Sequence, residues 1–222
     1  MYTSLMDEIT AQSLISKNFP DLAIHKIIKI GEGTANVAYE VNDRLIFRFP
    51  KGPVSRVQLA QEIILQPVLS RYSTLPYPKF DYLPSDRFFA GYEKLEGNPL
   101  INEMTHFDSW EAFAEQIGSF LNRLHSIPKN KLDSLNLLVE DKSFADWQTR
   151  SDQFYEKTKH LIPKMYYPEI EIFFNTKPQD QVIDKVLCHN DLGIEHILVT
   201  DDKVSGIIDW GGVAIADPAC DF

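Results

Sequence analysis

The feature that most constrains the fold is a change of periodicity near "LEGNPL", residues 95–100. Before it, from Ala23, "AIHKIIKIGEG", "NVAYEVND" and "RLIFRFP" alternate apolar and polar residues between Gly or Asn-Asp turn signals. That is the pattern of a three-stranded antiparallel meander. A Pro-rich connector, "LPYPKFDYLPS", precedes further strand character in "RFFAGYEKLEG". After the change, "DSWEAFAEQIGSFLNRLHSI" puts Phe113, Ile117, Phe120, Leu121 and Leu124 on one helical face. "KSFADWQTRSDQFYEKTKHLI" predicts a second such helix. Strands first and helices second predict an α+β chain of two lobes, residues 1–97 and 98–222. Two smaller expectations accompany this. An amphipathic helix over Leu5 to Phe19 should set Leu5, Ile9, Leu14 and Ile15 on one side, and Pro67 should kink or end the helix "VSRVQLAQEIILQPVLSRY".

Composition narrows the partners. A net charge of −10 argues against nucleic acid or an anionic membrane, both of which ask for a basic face, and it suits a cationic small molecule. With 44% hydrophobic residues in 222 there is enough apolar surface for a large core or two lobes. Two cysteines, Cys188 and Cys220, each within an apolar stretch, do not make a disulfide framework, so the expected setting is a reducing cytoplasm. The N-terminus has no basic head followed by an apolar run, and no window approaches 18 uninterrupted apolar residues, so neither a signal peptide nor a membrane span is expected.

Three motifs can carry chemistry. "GEGTAN", Gly31 to Asn36, joins two predicted strands. Glycines let a backbone turn close over phosphates without Cβ clashes. A dinucleotide fingerprint would need a following helix, which "VAYEVND" does not supply, whereas a strand-turn-strand glycine flap is the arrangement of kinases. An ordinary hairpin turn reads the same way. In "LIFRFP", alternation places Leu45, Phe47 and Phe49 on one face and Ile46 with Arg48 on the other. A cation on the strand after a glycine turn is suited to holding phosphates, and arginine does so in a fork geometry. Lys51 competes for that role, Glu62 in the next helix is a candidate partner, and a solvent-facing arginine on an edge strand is the plain alternative. Third, "LCHNDLGIEHILV" brings His189, Asp191 and His196 together on a loop, and "GIIDWGG" follows with Asp209. One aspartate to take a hydroxyl proton and a second to hold a divalent cation on nucleotide phosphates is the pairing that phosphoryl transfer needs. Two polar turns of a β-hairpin would produce the same letters.

Taken in order, "GEGTAN", "FRFP", Glu62, "YEKLEGNPL", "FLNRLHSIP", "LCHNDLGIEHILV" and "GIIDWGGVAIADPACDF" resemble the aminoglycoside phosphotransferase family, and the "FRFP" strand and "HND" loop look closest to its 2″-phosphotransferase branch. The resemblance implies a two-lobed kinase-like fold with ATP or GTP between the lobes and Mg²⁺ as cofactor. It further implies Asp191 as the base and Asp209, with His196, as metal ligands. Gly31, Gly33 and Asn36 would then form the nucleotide turn, with Arg48 the phosphate-holding cation and Glu62 its partner. Glu93 to Leu95 would hold the purine through backbone groups, and His189 would brace the loop.

The sequence also departs from the family pattern. His196 stands where the family usually carries asparagine, although macrolide phosphotransferases of the same superfamily also carry histidine there, and imidazole is a poorer Mg²⁺ ligand than an amide oxygen. Gly212 stands where many relatives carry aspartate, and family members continue past the "DPACDF" stretch with helices that build part of the acceptor pocket. The expectation is therefore a small-molecule kinase. Its alternatives are a shortened, degenerate kinase fold that binds nucleotide or a partner without turnover, or a ligand-free α+β domain.

Overall fold

The computed structural model describes residues 6–139, 144–176 and 184–222, so Leu5 of the predicted first helix lies outside the described residues. Helix α1 (Glu8–Asn18) starts at Asp7, whose carboxylate accepts the Thr10 amide at 2.8 Å, as an N-cap does. It buries Ala11 and Ile15, with Leu14 partly covered, but Ile9 is 80% exposed. The predicted apolar face was therefore misplaced at Ile9. Ala11 and Ile15 turn into the core beside the sheet, and Ile9 faces solvent.

Strands β1 (Ile27–Glu32), β2 (Asn36–Val41) and β3 (Leu45–Pro50) form the meander, and β4 (Ala90–Glu93) joins it after helix α2 (Pro53–Tyr72). The sheet order is β1-β2-β3-β4, all antiparallel, so β3 is an inner strand with Arg48 opposite Ala38 on one side and Ala90 on the other. All six of its residues are buried. Leu45, Phe47 and Phe49 pack with Ile15, Tyr39 and Phe89, and the Phe49 and Phe89 rings stack at 4.8 Å. Ile46 faces the opposite side with Leu59, Ala90 and Tyr92. The two-face reading holds, and an edge-strand arginine does not.

Helix α2 runs through Pro67 to Tyr72, so of the two expected outcomes, a kink or an end, the proline does not end it. An internal proline costs about 3 kcal/mol through its missing N–H and ring clash. Leu65, Val68 and Leu69, on either side of it, are buried in the largest core, and each such burial contributes about 1.5–3 kcal/mol. Packing outweighs the local penalty.

After β4 come β5 (Asn98–Pro99) and the helices α3 (Leu100–Glu103), α4 (Trp110–His125), α5 (Lys129–Leu132), α6 (Phe144–Thr158) and α7 (Tyr167–Asn175). Four short strands follow: β6 (Val186–Cys188), β7 (Ile197–Thr200), β8 (Lys203–Ile207) and β9 (Ala214–Ala216). Helix α4 turns Phe120, Leu121 and Leu124 into the core, where they meet Leu187, Ile207 and Trp210. The Trp210 indole N–H donates to the Ile207 carbonyl at 3.2 Å, so burial leaves that ring satisfied. Strands β7 and β8 form a hairpin whose turn residues, Asp201 and Asp202, both have positive φ, as a type I′ connection requires. Strand β6 pairs with β9 rather than with β7. The loop between β6 and β7 therefore lies between two small sheets, under the larger one. Among the described residues no helix is long and apolar enough to cross a membrane.

Candidate functional site

A cavity of about 610 Å³ opens between the β1–β4 sheet and the β7–β8 hairpin. Gly31, Gly33 and Asn36 line it from above, Arg48 and Tyr92 at the back, Leu95 at the side, and Asp191, His196 and Asp209 from below. A Cβ placed on Gly31 or Gly33 would meet no protein atom within 4 Å, so these glycines serve no internal packing and leave the space over the cavity open. The turn is held from outside. Gly33 N–H donates to Asn36 O at 3.0 Å, and Lys51 Nζ donates to Gly33 O at 2.9 Å and pairs with Glu32 at 2.7 Å. Hydrogen bonds from Lys29 first and Lys51 second hold the Glu32 carboxyl down at about 2. Lys51 is thus a brace of the turn and does not line the cavity.

Arg48 is the buried cation of the site. Its Nη1 donates to Glu62 at 2.8 Å and its Nη2 to Asp209 Oδ1 at 2.9 Å. Burial opposes its charge, but Glu62 and then Asp209 outweigh that and hold the guanidinium above its ordinary value. Burial pushes the Glu62 carboxyl up, against the pull of Arg48. Burial also raises the Tyr92 hydroxyl to about 12, leaving a neutral phenol beside these charges. Glu62 sits behind Arg48 and does not line the cavity.

The loop after β6 carries the remaining groups. His189 is fully buried, its Nε2 lies 3.1 Å from the Ile208 carbonyl, and burial lowers its basicity, which keeps the ring neutral. The ring packs 4.7 Å from that of Trp210. Asn190 takes a positive φ of 64° and donates from its amide nitrogen to Gly212 O at 3.0 Å. Asp191 then projects outward with a half-exposed carboxylate. His196 Nδ1 lies 2.7 Å from the Asp191 carbonyl oxygen, so that nitrogen must carry the proton. Its Nε2 lies 3.8 Å from Asp209 Oδ2. Asp209 Oδ2 and His196 Nε2 are the groups that could hold a divalent cation at the floor of the cavity, a carboxylate and an imidazole both being metal donors. Gly212 has a steric reason: a Cβ there would lie 3.2 Å from Asp191 Cβ and 3.3 Å from His189 O.

Glu93 does not line this cavity: its side chain pairs with Arg44 at 2.8 Å and lines a separate cavity of about 620 Å³ behind the linker. Lys94 and Leu95 line both.

Asp221 and His125 were not found by sequence reasoning. The Asp221 carboxylate accepts the amides of His189 at 3.2 Å and Asn190 at 2.7 Å, and its Oδ2 lies 2.8 Å from His125 Nε2. Two backbone donors just ahead of Asp191 are thereby fixed by one buried acid. The only local signal is a second aspartate in "ADPACDF"; its partners lie 31 or more positions away, beyond the reach of any local pattern.

Comparison with known proteins agrees with this geometry. The sequence profile of the phosphotransferase enzyme family matches residues 26–222. The GDP complex of wild-type aminoglycoside 2'-phosphotransferase-IIIa is 28% identical, with a TM-score of 0.83 over 97% of this chain and 76% of that one. The GDP and kanamycin complex of APH(2")-IIIa is 27% identical, with a TM-score of 0.79 over 96% of this chain and 76% of that one. The fold alone is shared with a macrolide 2'-phosphotransferase from Brachybacterium faecium, at 19% identity and a TM-score of 0.64 over 95% and 75% of the two chains. The architecture is that of the kinase-like α+β fold, an antiparallel sheet followed by a helical region.

Proposed function

The chain belongs to the phosphotransferase enzyme family, and from that premise we propose that it transfers the γ-phosphoryl group of ATP or GTP to a hydroxyl of a cationic small molecule, with an aminoglycoside the first candidate. The observation that carries this reading is the convergence of Asp191, His196, Asp209 and Arg48 on one cavity roofed by an open glycine turn. The GDP and kanamycin bound by relatives at 27–28% identity support nucleotide and acceptor classes, and the net charge of −10 suits a cationic acceptor. We place the activity in the cytoplasm, without nucleic-acid or membrane partners.

The residues divide the work as follows. The lobe of residues 1–97 holds the nucleotide: Gly31, Gly33 and Asn36 over the phosphates, the backbone of Glu93 to Leu95 along the purine, and Arg48 on the phosphates with Glu62 as its brace. In the lobe of residues 98–222, Asp191 takes the proton of the acceptor hydroxyl as its oxygen bonds to the γ-phosphorus and the bond to the departing nucleoside diphosphate breaks. His189, neutral and buried, and Asp221 fix the backbone that aims Asp191. Asp209 and His196 would hold a divalent cation, Mg²⁺ in most such enzymes, which when bound offsets charge on the transferring phosphates.

A second reading, nucleotide binding without turnover, draws on the engagement of Asp209 Oδ1 by Arg48. Thermal melting with GDP or ADP and a divalent cation tests both readings, since a ligand that binds only the folded chain raises its melting temperature. Absence of a shift with either nucleotide would falsify both. Given a shift, transfer measured across an aminoglycoside panel separates them. Asp191→Ala should lower transfer by about 10²–10⁴-fold while the nucleotide-induced melting shift stays unchanged. Loss of both in a chain that is still folded would remove Asp191 from the base role.

A further inference from the structure

Away from the catalytic cavity, one further group of metal donors converges among the described residues. An imidazole nitrogen of His125, the Cys188 sulfur and an Asp221 carboxylate oxygen all lie within 4.8 Å of one another. They come from the last residue of α4, the last of β6 and the turn Pro218–Asp221. Cys188 and Asp221 are buried, and the His125 side chain is 15% exposed, which leaves a way in on its side. The carboxylate is already oriented. Its Oδ1 accepts the Asn190 amide at 2.7 Å, and its Oδ2 accepts the His189 amide at 3.2 Å and lies 2.8 Å from His125 Nε2. Metal-ligating carboxylates are held in this way by hydrogen bonds of their own. A histidine–aspartate pair by itself needs no thiol beside it, and Cys188 donates only a weak bond, to Asp217 O at 3.3 Å.

We propose that His125, Cys188 and Asp221 are the protein ligands of a Zn²⁺ site, with water in the fourth position. None of the three lines the catalytic cavity, so the proposal stands apart from the phosphotransfer reading. Thiolate, imidazole and carboxylate are the donors zinc takes, whereas Mg²⁺ and Ca²⁺ take oxygen. Ligand atoms at ~2.0–2.3 Å around a tetrahedral ion lie ~3.3–3.6 Å apart. The His125–Asp221 contact therefore opens slightly, and the contacts to sulfur, none longer than 4.8 Å, draw in. Burial pushes the Cys188 thiol up, so the sulfur keeps its proton until an ion replaces it. Zn²⁺ displaces that proton and the one between His125 Nε2 and Asp221, both going to solvent, so its affinity rises with pH. Thiolate and carboxylate together match the ion's double charge. Once bound, the ion ties α4 to β6 behind the loop that carries Asp191.

The test uses the full chain, kept reduced, without nucleotide. Titrated with Co²⁺ as a spectroscopic substitute, it should develop a thiolate-to-cobalt charge-transfer band, and an equivalent of Zn²⁺ should remove that band. Loss of an outer-shell partner already weakens a metal site about 10–100-fold, so Cys188→Ala should weaken Zn²⁺ by about 100-fold or more and abolish the band. Cys220 packs against the same small cluster but is not one of the three donors, so Cys220→Ser should keep both. Zn²⁺ should also raise the melting temperature of the parent and not that of Cys188→Ala. X-ray absorption at the zinc edge of the unmodified protein should show sulfur at ~2.3 Å with nitrogen and oxygen at ~2.0–2.1 Å. The candidate cation ligands of the catalytic cavity, Asp209 and His196, offer no sulfur, so an ion held there gives neither signal. Absence of sulfur from the zinc shell, or a band that survives Cys188→Ala and disappears in Cys220→Ser, overturns the proposal. The absorption measurement needs no variant and decides the matter even if Cys188→Ala fails to fold.

Discussion

Asp221 carries two backbone amides and a histidine on one buried carboxylate, and that makes its replacement informative. Asp221→Asn keeps the shape but offers one acceptor oxygen in place of two, leaving one of the amides of His189 and Asn190 facing an NH₂ group. Burying an unsatisfied donor costs about 1–3 kcal/mol, so urea unfolding should show a loss of about 2 kcal/mol, with transfer falling more than nucleotide binding. His189 gives a pH dependence. Burial lowers its folded-state basicity, so below the ordinary histidine value of about 6.5 the unfolded chain takes a proton that the folded chain refuses. Its contribution to stability is therefore complete above about pH 6.5 and is lost as pH falls below it. Unfolding midpoints at pH 7.5 and 5.5 should differ less in His189→Asn than in the parent. At this scale the sequence was informative where residues at strand ends converge on the cavity, as Asp191 and Asp209 do, and where alternation sets a face, as with Arg48. It was silent on Asp221 and His125, which act only through contacts between distant segments.

Single elements show the same division. The meander over β1 to β3 and the buried face of α4 were legible because each is a pure period, two residues or about 3.6, with its apolar side against a core. Helix α2 does not end at Pro67 because local propensity and tertiary packing disagree there, and packing prevails. That disagreement is measurable. The Pro67 ring is exposed, so Pro67→Ala gives up little packing and restores an amide to the helix. Stability should rise by about 2 kcal/mol in chemical denaturation, after allowing for the extra freedom of the unfolded chain. No change would mean that α2 already accommodates the proline without strain.

For the whole molecule, the joint between sheet and helical region is Gly97, with φ at +101°. A Cβ there would lie 2.6 Å from the Val199 carbonyl oxygen and 2.4 Å from Ser205 Oγ, whose hydroxyl already donates to the Glu96 carbonyl at 2.7 Å. Gly97→Ala should cost about 1–3 kcal/mol from backbone strain, and because Leu95 and Asn98 line the cavity on either side, nucleotide affinity should fall along with the melting temperature. A variant that loses stability but binds nucleotide as before would show that the joint does not shape the cleft. The change of period near "LEGNPL" marked this region in the sequence, but not the separate cavity behind the linker, because a cavity is made by elements meeting and leaves no local trace.

The ion pairs of Arg48 can also be read as a constraint on variation. Glu62 and Asp209 come from distant parts of the chain and would repel each other if brought together unneutralised; one guanidinium makes them compatible. In many enzymes the groups that do chemistry weaken the fold that carries them. In this chain, the cation proposed to grip phosphate is also the counter-ion of Glu62 and Asp209, so a nucleotide held as proposed would share it with them. Position 48 thus answers two demands at once, and a substitution that removes the cation leaves Glu62 and Asp209 without their counter-ion.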